Sequence, residues 1–227
     1  MNLNDKIVLA HKGFYDKEST RLYRENSKEV CAISTTKDYI KIIELDVRKS
    51  TDGTLYCYHG NFFQYYFSLK IPRRFSDLQK KYNVDSLEEI LKVINEDKII
   101  LLDIKDKSIT QADIINVLNS KRFKEVILGN TSFSTSFLDH FNNLPTGFVK
   151  IMNGNIFCNF YNLQKLKDKG YRHFEVVFPF QARKKIIDNA FNTGLEFSFP
   201  SLFFFTKEGY WAKINKYNIK RISSDFI

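Results

Sequence analysis

Two rhythms of apolar and polar residues alternate along the chain. Short apolar runs rich in β-branched residues, bounded by polar ones, read as buried strands: KIVLAH at 6–11, the runs on either side of the turn within 42–60, KIILLDIK at 98–105, EVILGN, GFVKIM, HFEVVF, LEFSFP and RISSDF. Between them lie stretches with helical spacing and recognisable ends. Asn26 or Ser27 can cap a helix over 27–36, with Glu29 in its first turn. Asp85-Ser86 with Glu88 and Glu89 opens SLEEILKVIN, and Thr110 opens a helix over 110–120. STSFLDHFN stops at Asn142, Asn143 and Pro145; YNLQKLKDK stops at Gly170; QARKKIIDNAFNTG stops at Gly194. Residues 206–218 read as short helix and loop, and 61–85 as an irregular aromatic-then-basic excursion or lid.

Strands alternating with helices indicate βαβ units and a parallel sheet. The run count is nine. Eight strands close a (β/α)8 TIM barrel, so one run is accessory or is not a strand. The passage from Asp46 to His59 has no room for a crossover helix and breaks the alternation locally. With no composition shift, repeat or low-complexity tract, residues 1–227 are expected to form one domain.

The stretch IIELDVRKSTDGTLYCYHG at 42–60 carries the first sign of chemistry. Residues i and i+2 of a strand share a face, so Glu44 and Asp46 present two carboxylates side by side in an apolar setting. Such a pair is costly unless a cation or a set of donors compensates it. Hard divalent cations, Mg²⁺ or Ca²⁺, take oxygen sites of this kind. Neighbouring lysine and arginine can also hold the pair with no metal, and this stretch alone leaves both readings open. Other strand ends add His11, His59, Asp103 and Lys105. In a barrel of this kind the carboxyl ends of the strands converge on one face. Two histidines there can act as general acid and general base, or as nucleophile and acid. Three carboxylates can hold one divalent cation, and Lys12 and Lys105 can balance a phosphate. His140 and His173 read as structural.

Composition narrows the function classes. Hydrophobic residues at 43% and charged residues at 27% describe an ordinary globular chain, with abundant aromatic core material. The net charge of +9 comes from scattered Lys and Arg without a nucleic-acid module, so a basic surface is the expected reading and no nucleic-acid partner is. Cys31, Cys57 and Cys158 are too far apart for a disulfide framework or a zinc pattern. Nothing approaches the ~20 apolar residues of a membrane span, and no signal peptide is evident, so the expected compartment is the cytoplasm.

His11-Lys12-Gly13, Arg24-Glu25-Asn26-Ser27, ELDVRKSTDG, YHG, VDSLEEILKVI, LLDIK, the Ser-Phe pairs after the fifth strand and RISSDF together resemble the ordered signature of the glycerophosphodiester phosphodiesterases. The pair ELDV and YHG is also similar to the phosphoinositide-cleaving phospholipases C. The resemblance spans nearly the whole chain. It implies that His11 and His59 form the acid–base pair, that Glu44, Asp46 and Asp103 are metal ligands for Mg²⁺ or Ca²⁺, and that Lys12 and Lys105 contact phosphate, with Glu25 and Asn26 as polar support of the substrate site. The chain departs from the pattern at Lys12 for Arg, Gly60 for Asp, Asp103 for Glu, Arg24 for Pro, and Phe197-Ser198-Phe199-Pro200 for Trp-Thr-Val-Asn.

The expected function is metal-dependent hydrolysis of a glycerophosphodiester or similar small phosphodiester to a phosphomonoester and an alcohol. Two alternatives keep the fold. One is the same chemistry on a phosphodiester of a surface polysaccharide or its nucleotide-linked precursor. The other is a barrel that binds a phosphorylated ligand without cleaving it.

Overall fold

The computed structural model describes residues 3, 5–60, 73–119, 121–130, 137–154, 163–176, 183–198 and 206–227. The aromatic run at 61–72, the start of the STSFLDHFN segment, Cys158 and the Phe199-Pro200 end of the FSFP motif lie outside these residues.

Eight strands run parallel and close on themselves: β1 (Ile7–Ala10), β2 (Ile40–Lys49), β5 (Ile99–Ile104), β6 (Glu125–Gly129), β7 (Phe148–Gly154), β8 (Tyr171–Val176), β9 (Glu196–Ser198) and β10 (Arg221–Ser223), with β10 pairing back onto β1. The expected (β/α)8 barrel is therefore present. The accessory run is β3 (Leu55–Cys57), which pairs antiparallel with the far end of β2 and with the short β4 (Asp85–Ser86).

The described helices are α1 (Ser19–Leu22), α2 (Lys28–Ser34), α3 (Phe75–Tyr82), α4 (Leu87–Val93), α5 (Gln111–Leu118), α6 (Leu163–Asp168), α7 (Lys184–Asn192) and α8 (Lys207–Lys216). Their starts follow from side chains that satisfy the free first-turn N–H groups. Ser27 accepts from the Val30 amide, and Ser86 and Thr110 form capping boxes with Glu89 and Asp113. The excursion at 61–85 is not irregular throughout. Its second half is α3 followed by β4, seated by a small cluster of Tyr56, Leu78 and Val84. The described part of STSFLDHFN is a 3-10 turn over Phe137–His140, and the last strand ends at Ser223, with a 3-10 turn over Ser224–Phe226.

The strands read as apolar runs because both faces are buried. Outward residues such as Ile43, Leu45, Leu102 and Leu128 pack with Ile90, Leu91 and Ile114 of the helices. Inward residues Leu9, Ile42, Leu101, Ile127, Val149 and Ile151 fill part of the barrel interior. Continuing the inward positions by twos from Leu9, Ile42 and Leu101 leads to His11, to Glu44 and Asp46, and to Asp103.

Candidate active site

The inward carboxylates Glu44, Asp46 and Asp103 come together above the apolar plug. Each can place one oxygen within 4.8 Å of the others, and all three are buried. Asp46 and Asp103 are direct cross-strand neighbours of β2 and β5, which is why a two-residue and a strand-to-strand step converge on one point.

Asn26 fixes Asp46. Its side-chain amide donates to Asp46 Oδ2 at 2.8 Å, and its Oδ1 accepts the Asp46 amide at 3.0 Å. Because Ser27 caps α2, Asn26 is released for this task; it takes a left-handed backbone at φ 53°, which Asn tolerates better than most residues. Lys105 lies between the carboxylates, 2.9 Å from Asp46 Oδ1 and paired with Asp103 Oδ2. Asp46 Oδ1 nevertheless makes no hydrogen bond of acceptable geometry, although it is buried. Burial raises the Asp46 carboxyl, but Lys105, His59 and Lys12 together hold it below its ordinary range. Glu44 moves the other way, to about 7, driven first by burial and then by the charges of Asp46 and Asp103, against His11 and Lys105.

His11 stands at the end of β1 in a tight 3-10 turn over His11–Gly13. Gly13 is required there: its φ is +82°, and a Cβ would lie 2.9 Å from both Cys31 Sγ and Val30 Cγ1. The turn aims the Lys12 amide at Glu44 Oε2, at 2.9 Å. His11 Nδ1 is 2.8 Å from Asp225 Oδ2, and its Nε2 is 3.7 Å from Glu44 Oε2. Burial opposes its protonation, but Glu44 and Asp225 outweigh burial and raise it to about 9. Asp225 and Ser224, whose hydroxyl accepts the His11 amide at 3.2 Å, have no assigned role in the sequence reading. The SSD of RISSDF was the available signal.

His59 is not at the end of a barrel strand, as its position after an apolar run suggested. It follows the antiparallel β3, which doubles back so that the Tyr58 amide reaches the Asp46 carbonyl at 3.0 Å. Arg48 fastens this return: Nε donates to the Tyr58 carbonyl at 2.8 Å and Nη2 to the His59 carbonyl at 3.3 Å. On the other side Glu25 Oε1 accepts the Gly60 amide at 2.9 Å, and its Oε2 is 3.5 Å from Lys12 Nζ. His59 Nδ1 contacts the Gly60 carbonyl at 2.7 Å. A carbonyl only accepts, so Nδ1 carries the proton and Nε2 keeps its lone pair in the neutral ring. Burial lowers the His59 pKa, with Asp46 opposing. Gly60, at φ 78°, permits the loop to bend in this way.

The other sequence features resolve simply. Arg24 is tied to Asp85, whose carboxylate also accepts the Lys28 amide at 2.9 Å, and so joins α2 to β4. Phe197 packs into the barrel wall against Phe174, with ring centres 5.9 Å apart. His173 lies in the barrel interior, away from the carboxylate group, bonded to Arg221.

The site residues fit a divalent cation. All three donors are carboxylates, one buried oxygen is short of a hydrogen bond, and a single lysine does not neutralise three acids.

No protein-family model matches the chain, and no curated protein sequence does. Among solved structures it is similar to the glycerophosphodiester phosphodiesterase of Thermotoga maritima, at 22% identity over 97% of this chain and 95% of that one, with a TM-score of 0.71. The enzyme of that name from Agrobacterium tumefaciens matches at 16% identity over 97% of each chain, with a TM-score of 0.71. A phosphodiesterase of Oleispira antarctica, in complex with its product sn-glycerol-3-phosphate, matches at 16% identity over 96% of this chain and 92% of that one, with a TM-score of 0.71. At such identities the likeness is one of fold, and the fold shared over nearly the whole chain is the (β/α)8 barrel of the glycerophosphodiester phosphodiesterases.

Proposed function

We propose that this chain is a divalent-cation-dependent phosphodiesterase that hydrolyses a glycerophosphodiester, or a similar small phosphodiester, to a phosphomonoester and an alcohol. The observation that carries the reading is the meeting of three buried carboxylates with two separately oriented histidines at one mouth of the barrel. A phosphate-binding barrel without catalysis has no need of two imidazoles fixed by Asp225 and by the Gly60 carbonyl.

Glu44, Asp46 and Asp103 would hold the cation. Bound there, it would neutralise phosphoryl oxygen charge. Asn26 fixes the Asp46 carboxylate, and Lys105 limits the repulsion between Asp46 and Asp103. Lys12 and Lys105 add positive charge for the phosphate. One imidazole takes the proton of the attacking water or substrate hydroxyl, and the other gives one to the departing alkoxide. Asp225 holds the His11 ring in place and stabilises its imidazolium form, as a carboxylate behind a histidine does. Glu25 and Arg48 act through the loop that carries His59. Among the described residues no helix is long and apolar enough to cross a membrane. A small diester as substrate and the cytoplasm as compartment complete the proposal.

Purified protein is expected to hydrolyse bis-p-nitrophenyl phosphate. Chelation should abolish the activity, and Mg²⁺ or Ca²⁺ should restore it. Undiminished turnover by metal-stripped protein would refute the metal role, and no turnover of any diester would refute the function.

A further inference from the structure

A cleft of about 630 Å³ lies on the outer wall of the barrel and takes no part in the proposed reaction. One of its sides is a single face of α8. Lys207, Glu208, Trp211 and Asn215 follow one another there at helical spacing, and Asn218 continues the line just past the helix end. Asp5 and Lys6, which lead into β1, face them. The helix α8 runs from the carboxyl end of β9 to the amino end of β10. The cleft therefore follows the wall toward the amino ends of the strands, away from the mouth that holds Glu44, Asp46 and Asp103.

Its size is that of a small-molecule site, typically about 300–1,000 Å³. Trp211 is partly buried; it packs on the main core and edge-on against Tyr210, with ring centres 6.2 Å apart. That packing fixes a large flat apolar group at the cleft. Lys6 is fixed as well. Its side chain is only 6% exposed, and Nζ donates to the Ile219 carbonyl at 3.1 Å and pairs with Asp5 Oδ2 at 3.4 Å. Lys207 Nζ donates to the Ile227 carbonyl at 3.0 Å. The side chains of Glu208, Asn215 and Asn218, by contrast, form no hydrogen bond or ion pair with another described residue.

The charges of the lining cancel, two lysines against two carboxylates. An anion such as phosphate finds no excess of positive charge here. A lipid chain finds one aromatic ring but no continuous apolar floor among the described residues. A neutral, polyhydroxylated ligand meets both parts of the lining. The C–H face of a sugar ring can lie against the indole, and neighbouring hydroxyls can engage side-chain amides and a carboxylate, which offer donors and acceptors side by side. We infer that this cleft binds a neutral saccharide, with Trp211 as the stacking platform and Glu208, Asn215 and Asn218 as hydroxyl partners. The inference stands independently of the phosphodiesterase reading.

Trp211 is the only tryptophan in the chain, so tryptophan fluorescence reports on this cleft alone. The full chain is titrated with maltotriose, cellotriose and triacetylchitotriose, with sodium phosphate as the control. At least one of the sugars should shift the emission saturably, in the millimolar range or tighter. Asn215→Ala and Glu208→Gln alter exposed positions of α8 and leave the core untouched. Each should weaken that binding by about 3- to 10-fold, with little change in melting temperature or in turnover of bis-p-nitrophenyl phosphate. No saturable response to any of the three sugars would overturn the inference, as would an equal response to phosphate or unchanged affinity in both variants. An emission shift that follows protein concentration without sugar would assign the cleft to a second copy of the chain and overturn it too.

Discussion

Two buried polar groups lie inside one barrel and are balanced differently. At the carboxyl ends of the strands, Glu44, Asp46 and Asp103 face one fully buried lysine, Lys105, with His11 at the margin. Toward the amino ends, Arg221 and His173 meet Glu125 and Glu196, and Glu196 is largely exposed. The first group carries an excess of negative charge shielded from water. The second pairs cationic or neutral nitrogens with acids that solvent can reach. A buried charge that its neighbours already neutralise is structural, whereas a buried excess calls for a ligand. The same contrast separates the two histidines at the mouth from His173. His11 and His59 are each held at Nδ1, by Asp225 and by the Gly60 carbonyl, while both nitrogens of His173 are engaged by Arg221 and Glu125.

The sharpest way to break this comparison is to remove the imidazoles. His11→Ala and His59→Ala should each lower kcat for bis-p-nitrophenyl phosphate by about 10²- to 10⁴-fold while the melting temperature changes little. A similar loss from His173→Ala in folded protein would erase the distinction.

Asn26→Ala should come next. It leaves the buried Asp46 carboxylate and amide without their partner, a cost of about 1–3 kcal/mol in urea unfolding. It should also weaken cation binding, read as a smaller rise in melting temperature on adding Mg²⁺ or Ca²⁺.

The pH dependence of stability has a definite sign. Glu175 has a folded-state pKa of about 7 against an ordinary value of 4.5, so between those values the folded chain holds more protons than the unfolded one. Stability from this group is lost as pH rises through that window. His11, raised to about 9 from 6.5, acts in the same direction at higher pH: its contribution is complete below 6.5 and lost through 9. Unfolding free energy should therefore fall between pH 5 and pH 9. Glu175→Gln should flatten the lower part of that slope, by on the order of 1–3 kcal/mol. An unchanged slope in the variant would mean that Glu175 titrates normally.

The smallest effect belongs to the balanced group. Glu196 is 66% exposed, so Glu196→Gln should cost less than about 1 kcal/mol and leave kcat within twofold of wild type. A loss of activity there would show that the two groups are coupled.

The barrel was legible in the chain because a parallel strand buried on both faces leaves a continuous apolar run, and because capping residues such as Ser86 and Thr110 mark helix starts locally. Glu44 and Asp46 were legible as a pair for an equally local reason, the two-residue period of a strand. The route of His59 was not. Its apolar approach looks like another barrel strand, and only the antiparallel pairing of β3 on β2 reveals a return. Asp225, 214 positions from its partner His11, was also hidden, because nothing in the short SSD run states what closing β10 onto β1 brings beside it.

What the sequence determined by itself is whatever depends on neighbours a few residues apart: the strands, the helix caps, the carboxylate pair and the glycine of the His11 turn. Tertiary structure alone decided the balance of charge. Whether Glu44, Asp46 and Asp103 are an excess, and whether Arg221 and His173 are not, depends on which side chains barrel closure brings within a few ångströms, where low polarity makes Coulomb interactions strong.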